Sequence, residues 1–109
     1  MNVKLLVGVI LMIVLISCDK DDENNRFYWN QTKCADPWNT GENDSNEQTS
    51  IAISDFLEKE QITVLNLNFD SQSPLDSLCE SCSCGTGQRI IIDVENADAS
   101  KMKDLDFYQ

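Results

Sequence analysis

The chain has 109 residues, and its 19 acidic against 8 basic side chains leave a net charge of -11. A field of that sign repels phosphate backbones and anionic lipid headgroups, which excludes nucleic acid as an expected partner. The absence of histidine removes the commonest general base and metal ligand, and the length allows one small domain at most.

At the amino end, Lys4 precedes an apolar run from Leu5 to Ile16, followed by Ser17 and Cys18. The run is shorter than the roughly 20 residues a helix needs to cross a bilayer, so residues 1–17 are expected to be a signal peptide rather than a span. Leu15, Ile16, Ser17 and Cys18 resemble the lipobox of bacterial lipoproteins. That resemblance implies cleavage between Ser17 and Cys18, a diacylglyceryl thioether on Cys18, and acylation of the new amino group. The membrane is then a partner through the lipid on Cys18, and two or three acyl chains hold far more firmly than one.

Asp19, Lys20, Asp21, Asp22 and Glu23 resemble the Cys, any residue, Lys, two acidics export signal of Bacteroidota-type surface lipoproteins. Lys20, Asp21 and Asp22 carry the match. It implies an outer-membrane location with the protein facing the cell surface. The same acidic run cannot bury itself, so residues 18–25 are also expected to be a solvated tether.

Residues 26–109 form the expected domain. Thirteen apolar residues lie in the first 17, which leaves about 35 percent apolar content in the remainder. A core that small has little margin and often depends on disulfides. From Arg26 to Trp38 the chain is dense in aromatics and can open with a short strand before Pro37 ends regularity. Asn39 to Thr49 is polar and reads as an exposed loop.

Ser50 is placed to cap a helix running to about Gln61, with Ile53, Phe56 and Leu57 on its apolar side. Ile62 to Phe69 then reads as a strand, alternating Leu65, Leu67 and Phe69 against Asn66 and Asn68. Ser71 to Pro74 breaks it. Arg89 to Glu95 is a second strand with Ile90, Ile92 and Val94 on one face, and Ile91 implies partial cover on the other. Asp98 to about Asp106 is a plausible closing helix carrying Ala99, Met102 and Leu105, with Phe107 and Tyr108 returning to the core.

These elements give an α+β class, a small single domain of two or three strands and two helices. Their expected order is helix, strand, cysteine loop, strand, helix. The two strands are candidates for antiparallel neighbours, with both helices on one face and the aromatic segment as a third strand.

Beyond Cys18, four cysteines remain: Cys34, Cys79, Cys82 and Cys84. Outside the cytosol four cysteines read first as two disulfides, for which three connectivities are possible. Three clustered cysteines cannot pair among themselves, so at least one bridge must reach Cys34. The alternative is a zinc or copper site with Cys34, Cys79, Cys82 and Cys84 as thiolate ligands. A third reading takes Cys79 and Cys82 as a redox pair, but Glu80 and its acidic surroundings favour the unreactive thiol.

Two smaller features have bland readings. Glu42 to Glu47 offers oxygen ligands without ordered calcium-loop spacing, so a solvated loop is expected. Trp29 and Trp38 suit a binding platform, yet a domain poor in large apolar groups needs them in its core. Cys34, Ala35, Asp36, Pro37 and Trp38, with the later cysteine cluster, resemble small cysteine-containing lipoproteins of unassigned function. That resemblance implies a shared fold and carries no activity. The leading expectation is a non-enzymatic, disulfide-stapled envelope lipoprotein without a cofactor, serving as a binding or accessory module for an envelope partner. No catalytic residue is expected, because no acid, base and nucleophile converge.

Overall fold

The structure, a computed structural model, describes residues 25–75 and 77–109. Three strands form one antiparallel sheet, with β1 at Arg26–Thr32, β2 at Val64–Ser71 and β3 at Gly85–Val94. The spatial order is β1-β3-β2, so β3 is central and pairs with both neighbours. Helix α1 spans Asn46–Lys59, and a 3-10 turn at Asn96–Asp98 leads into the short helix α2 at Ala99–Asp104. The domain is therefore α+β, in chain order strand, helix, strand, strand, helix. The aromatic segment does supply the third strand.

Alternation sorts the sheet residues into two faces. Phe27, Ile90, Ile92 and Val94 point inward and meet Ile53 and Leu57 of α1, Met102 of α2, and Trp38, Ile62 and Phe107 from the connections. Both helices thus serve one face. Trp29 and Trp38 belong to this core, with ring centroids 5.2 Å apart, and Phe107 lies 5.0 Å from Trp29.

Several element bounds differ from expectation. Helix α1 begins at Asn46 rather than after Ser50, because Ser45 caps it: the Ser45 side chain accepts from the Gln48 backbone N–H, and the Gln48 side chain accepts from the Ser45 backbone N–H. This reciprocal pair satisfies two donors that a helix start otherwise leaves unpaired. Asn39 to Thr49 is therefore only partly loop.

Strand β2 starts at Val64, and Ile62 is a buried residue of the turn before it. A register shift between Val64 and Asn66 places Leu65 in a bulge, where it is 59% exposed while Val64, Leu67 and Phe69 pack on the core. One inserted residue moves a side chain to the opposite face.

Strand β3 starts at Gly85 rather than Arg89, and the closing helix is shorter than expected. Phe107 is buried, whereas Tyr108 bridges to Tyr28 along the free edge of β1 and remains half-exposed.

The two helices end alike. After α1, Gln61 adopts a positive φ of 61°, the Ile62 N–H reaches the Leu57 carbonyl at 2.9 Å, and the Gln61 N–H reaches that of Glu58 at 2.9 Å. After α2, Asp106 has φ 72°, and the N–H groups of Phe107 and Asp106 reach Met102 and Lys103. Both are Schellman stops, and each delivers an apolar residue, Ile62 or Phe107, into the core beside the residue it bonds.

Candidate functional site

Ser17, Cys18, Lys20, Asp21 and Asp22 lie outside the described residues, as does the signal segment over residues 1–17. Among the described residues, no helix is long and apolar enough to cross a membrane.

The four remaining cysteines form two bridges, Cys34–Cys82 and Cys79–Cys84. The first joins residues 48 apart, with α-carbons 4.5 Å apart, and ties the end of β1 to the loop before β3. The second closes a separation of 5 within that loop. Backbone bonds reinforce the clasp: Lys33 donates to the Cys84 carbonyl at 2.8 Å and Cys34 to that of Cys82 at 3.1 Å. The Lys33 ammonium also donates to the Cys79 carbonyl. Gly41 sits directly against Lys33, where a β-carbon would collide with the Lys33 carbonyl, so the segment after Pro37 closes tightly over the clasp.

This pairing separates Cys79 from Cys82, the residues of the redox reading, and takes up all four thiols of the zinc or copper alternative. Among the described residues, no three His, Cys, Asp or Glu side chains are grouped as metal ligands would be. Of the Glu42 to Glu47 run, Ser45 caps α1 and the Asp44 carboxylate accepts from the Gly41 N–H at 2.9 Å. Its polar groups organise a turn and a helix start.

Asp36 is the buried carboxylate beside the clasp. It accepts from Trp29 Nε1 at 2.9 Å, from Thr32 Oγ1 at 2.8 Å and from the Thr32 backbone N–H at 3.2 Å. Burial pushes its pKa above the ordinary carboxylate value, and the bonds from Trp29 and Thr32 oppose that rise. Since those donors occupy it, Asp36 locks Trp29 and the strand end in place.

The outer face of the sheet is polar and cross-braced. Arg26 on β1 pairs with Asp93 on β3 at 2.8 Å, and Arg89 on β3 pairs with Asp70 on β2 at 2.8 Å. The Arg89 guanidinium also lies over the Tyr28 ring, 4.5 Å from its centroid. Tyr108 packs beside Tyr28, with centroids 5.6 Å apart, and its hydroxyl donates to Asn30 Oδ1 at 2.7 Å.

At the clasp end of this face is a depression of about 410 Å³, bordered by Asn30, Gln31, Gln72, Ser73, Gln88 and Tyr108. Its volume falls within the range of small-ligand clefts. Among the described residues, no border side chain carries a formal charge at neutral pH. Sequence reasoning missed it, because Asn30, Gln72, Gly85 and Tyr108 are brought together only by the sheet and the return of the carboxyl end. The one legible hint was Gly85 and Gly87 beside the cysteine cluster.

Comparison of the chain with protein-family models, curated proteins and solved structures finds no match.

Proposed function

We propose that this chain is a lipid-anchored lipoprotein of the outer membrane, facing the cell surface, whose disulfide-stapled domain acts as a non-enzymatic binding or accessory module. The observation that carries the reading is the pairing Cys34–Cys82 and Cys79–Cys84. Disulfides persist in oxidising compartments, so the pairing agrees with the export implied by the lipobox-like Leu15 to Cys18 segment. Closing the 48-residue separation contributes about 4 kcal/mol in the chain-entropy model, and the 5-residue separation about 2 kcal/mol. For a domain with so few buried apolar residues, that is a large fraction of net stability.

The non-enzymatic part of the reading rests on the engagement of the polar groups. Asp36 is held by Trp29 and Thr32, and Asp70 and Asp93 are paired with arginines. The Thr32 hydroxyl beside Asp36 is itself engaged, donating to that carboxylate at 2.8 Å and accepting from the Ala35 backbone N–H at 2.9 Å.

The decisive test is intact mass and thiol counting on the full chain produced in its native envelope and purified without reductant or added metal. The expected species is cleaved before Cys18, acylated there, and four hydrogen atoms lighter than its reduced form, the electrons having gone to the oxidising machinery of the envelope. Four free thiols with bound zinc or copper would overturn the disulfide assignment. Changing Lys20, Asp21 and Asp22 to alanine is expected to protect the domain from protease added to intact cells; unchanged cleavage would remove the export reading.

A further inference from the structure

The depression beside the clasp differs in chemistry from the rest of the molecule. The chain is strongly acidic and the neighbouring rows of the outer face hold ion pairs, yet side-chain amides, a serine and a tyrosine dominate this border. Two of the amides are fixed by what they already bind. Gln31 is 4% exposed, and its Oε1 accepts from Thr86 Oγ1 at 2.8 Å and from Gln88 Nε2 at 3.1 Å. Those bonds set the orientation of the amide, and its Nε2 has no hydrogen-bond partner among the described residues. Asn30 Oδ1 likewise accepts from the Tyr108 hydroxyl, which leaves Asn30 Nδ2 as a donor.

Glycine makes the space. Gly87 has φ +82° and lies so close to the Ser73 carbonyl that a β-carbon there would collide with it. Gly85 borders the depression with room beside it, since a β-carbon would meet nothing closer than 3.8 Å. The Tyr108 ring forms a fixed wall, held by the Tyr28 backbone bridge, the Tyr28 ring and Asn30.

A ligand that suits these groups accepts from amide N–H, donates to amide oxygen and lays a C–H face on one aromatic ring. Neutral sugars do all three, because each hydroxyl is both donor and acceptor and the pyranose ring presents axial C–H groups. An anion or cation would find no counter-charge among the described border residues, and an acyl chain would face amides stripped of water without compensation. A nucleobase has one ring to stack on, and the Arg89 guanidinium beside Tyr108 is already paired with Asp70. We infer that the depression bordered by Asn30, Gln31, Gln72, Ser73, Gln88 and Tyr108 binds a neutral saccharide. The inference deepens the proposed binding role and rests on it, but it requires neither the lipid anchor nor surface exposure.

The test uses the full lipidated chain in a detergent without a sugar head group. Native gels containing dextran, starch, xylan or mixed-linkage glucan measure retardation, with pectate and an extended-peptide mixture as charged and peptide comparators. At least one neutral polysaccharide is expected to retard the protein, and Gly85→Leu and Asn30→Ala are each expected to weaken that affinity tenfold or more. Should Gly85→Leu lose its fold by near-ultraviolet circular dichroism, Asn30→Ala decides alone. Retardation by none of the four neutral polymers, by pectate or peptide only, or equally in a folded variant would overturn the inference. Such a failure leaves the mass, thiol and protease readouts untouched, and failure of those readouts leaves saccharide retardation standing.

Discussion

The two faces of the sheet are made by alternate residues of the same three strands and hold together by different physics. On the inner face, Phe27, Ile90, Ile92 and Val94 are fully buried among the apolar side chains of both helices. On the outer face, Tyr28, Ile91, Arg89 and Asp93 are half-buried, and cohesion comes from two ion pairs and the Arg89–Tyr28 contact. Burial scales with area removed from water, whereas exposed ion pairs are worth little and are screened by salt. The inner face should therefore dominate stability, which leaves the outer face available for binding.

Neighbouring residues on β1 give the sharpest contrast. Phe27→Ala empties a fully buried site and is expected to cost about 3–5 kcal/mol. Tyr28→Ala, one residue on, removes a cross-strand contact and a cation–π contact and is expected to cost about 1 kcal/mol. Denaturant unfolding under non-reducing conditions measures both, and equal costs would mean that the outer face is covered in solution.

The inner face also contains a fault that can be repaired. Thr49 on α1 is fully buried, and its Oγ1 has no hydrogen-bond partner among the described residues. Valine has nearly the same shape without the hydroxyl. Thr49→Val is expected to stabilise by about 1 kcal/mol, read as a higher denaturation midpoint at unchanged slope. A smaller gain belongs to the helix stop that feeds this face. Gln61 holds a left-handed conformation that costs a residue with a β-carbon more than glycine, so Gln61→Gly is expected to add about 0.5 kcal/mol. Gln61→Val should lose stability instead.

The contrast between faces also explains what could be read from the chain. The alternation of Ile90, Ile92 and Val94 was legible because a strand in regular register carries its period in sequence. Leu65 was not, because its bulge arises from pairing with β3 and leaves the local alternation intact. Ser45 carried a local signal, the serine and glutamine three residues apart, but the polar first turn of α1 made Ser50 an equally good cap. The need for a bridge to Cys34 followed from the odd number of cysteines in the cluster, whereas its choice of Cys82 depended on where β3 brings the cysteine loop. The depression was illegible for the same reason, since four separated segments build it.

The smallest expected effect is the pH dependence of the outer face. Hydrogen bonds from Arg89 hold the Asp70 carboxyl below its ordinary pKa, with the guanidinium charge acting in the same direction, and Arg26 does the same for Asp93. A carboxylate with a lowered pKa contributes stability above its unfolded value and loses it as pH falls through the folded one. Asp36 runs the other way: burial raises its pKa, so its contribution is present in acid and fades as pH rises. Asp36 and the cross-strand pairs therefore respond oppositely to acid, and the cross-strand pairs alone should destabilise the fold on acidification. In the double variant Asp70→Asn, Asp93→Asn, the thermal midpoint is expected to fall less between about pH 6 and about pH 3 than in the unmodified chain. In Asp36→Asn, the acid fall should steepen, because the group that gains at low pH is gone. An unchanged acid limb in the double variant would show that solvent screening removes the cross-strand contribution entirely, leaving the inner face and the clasp as the whole basis of stability.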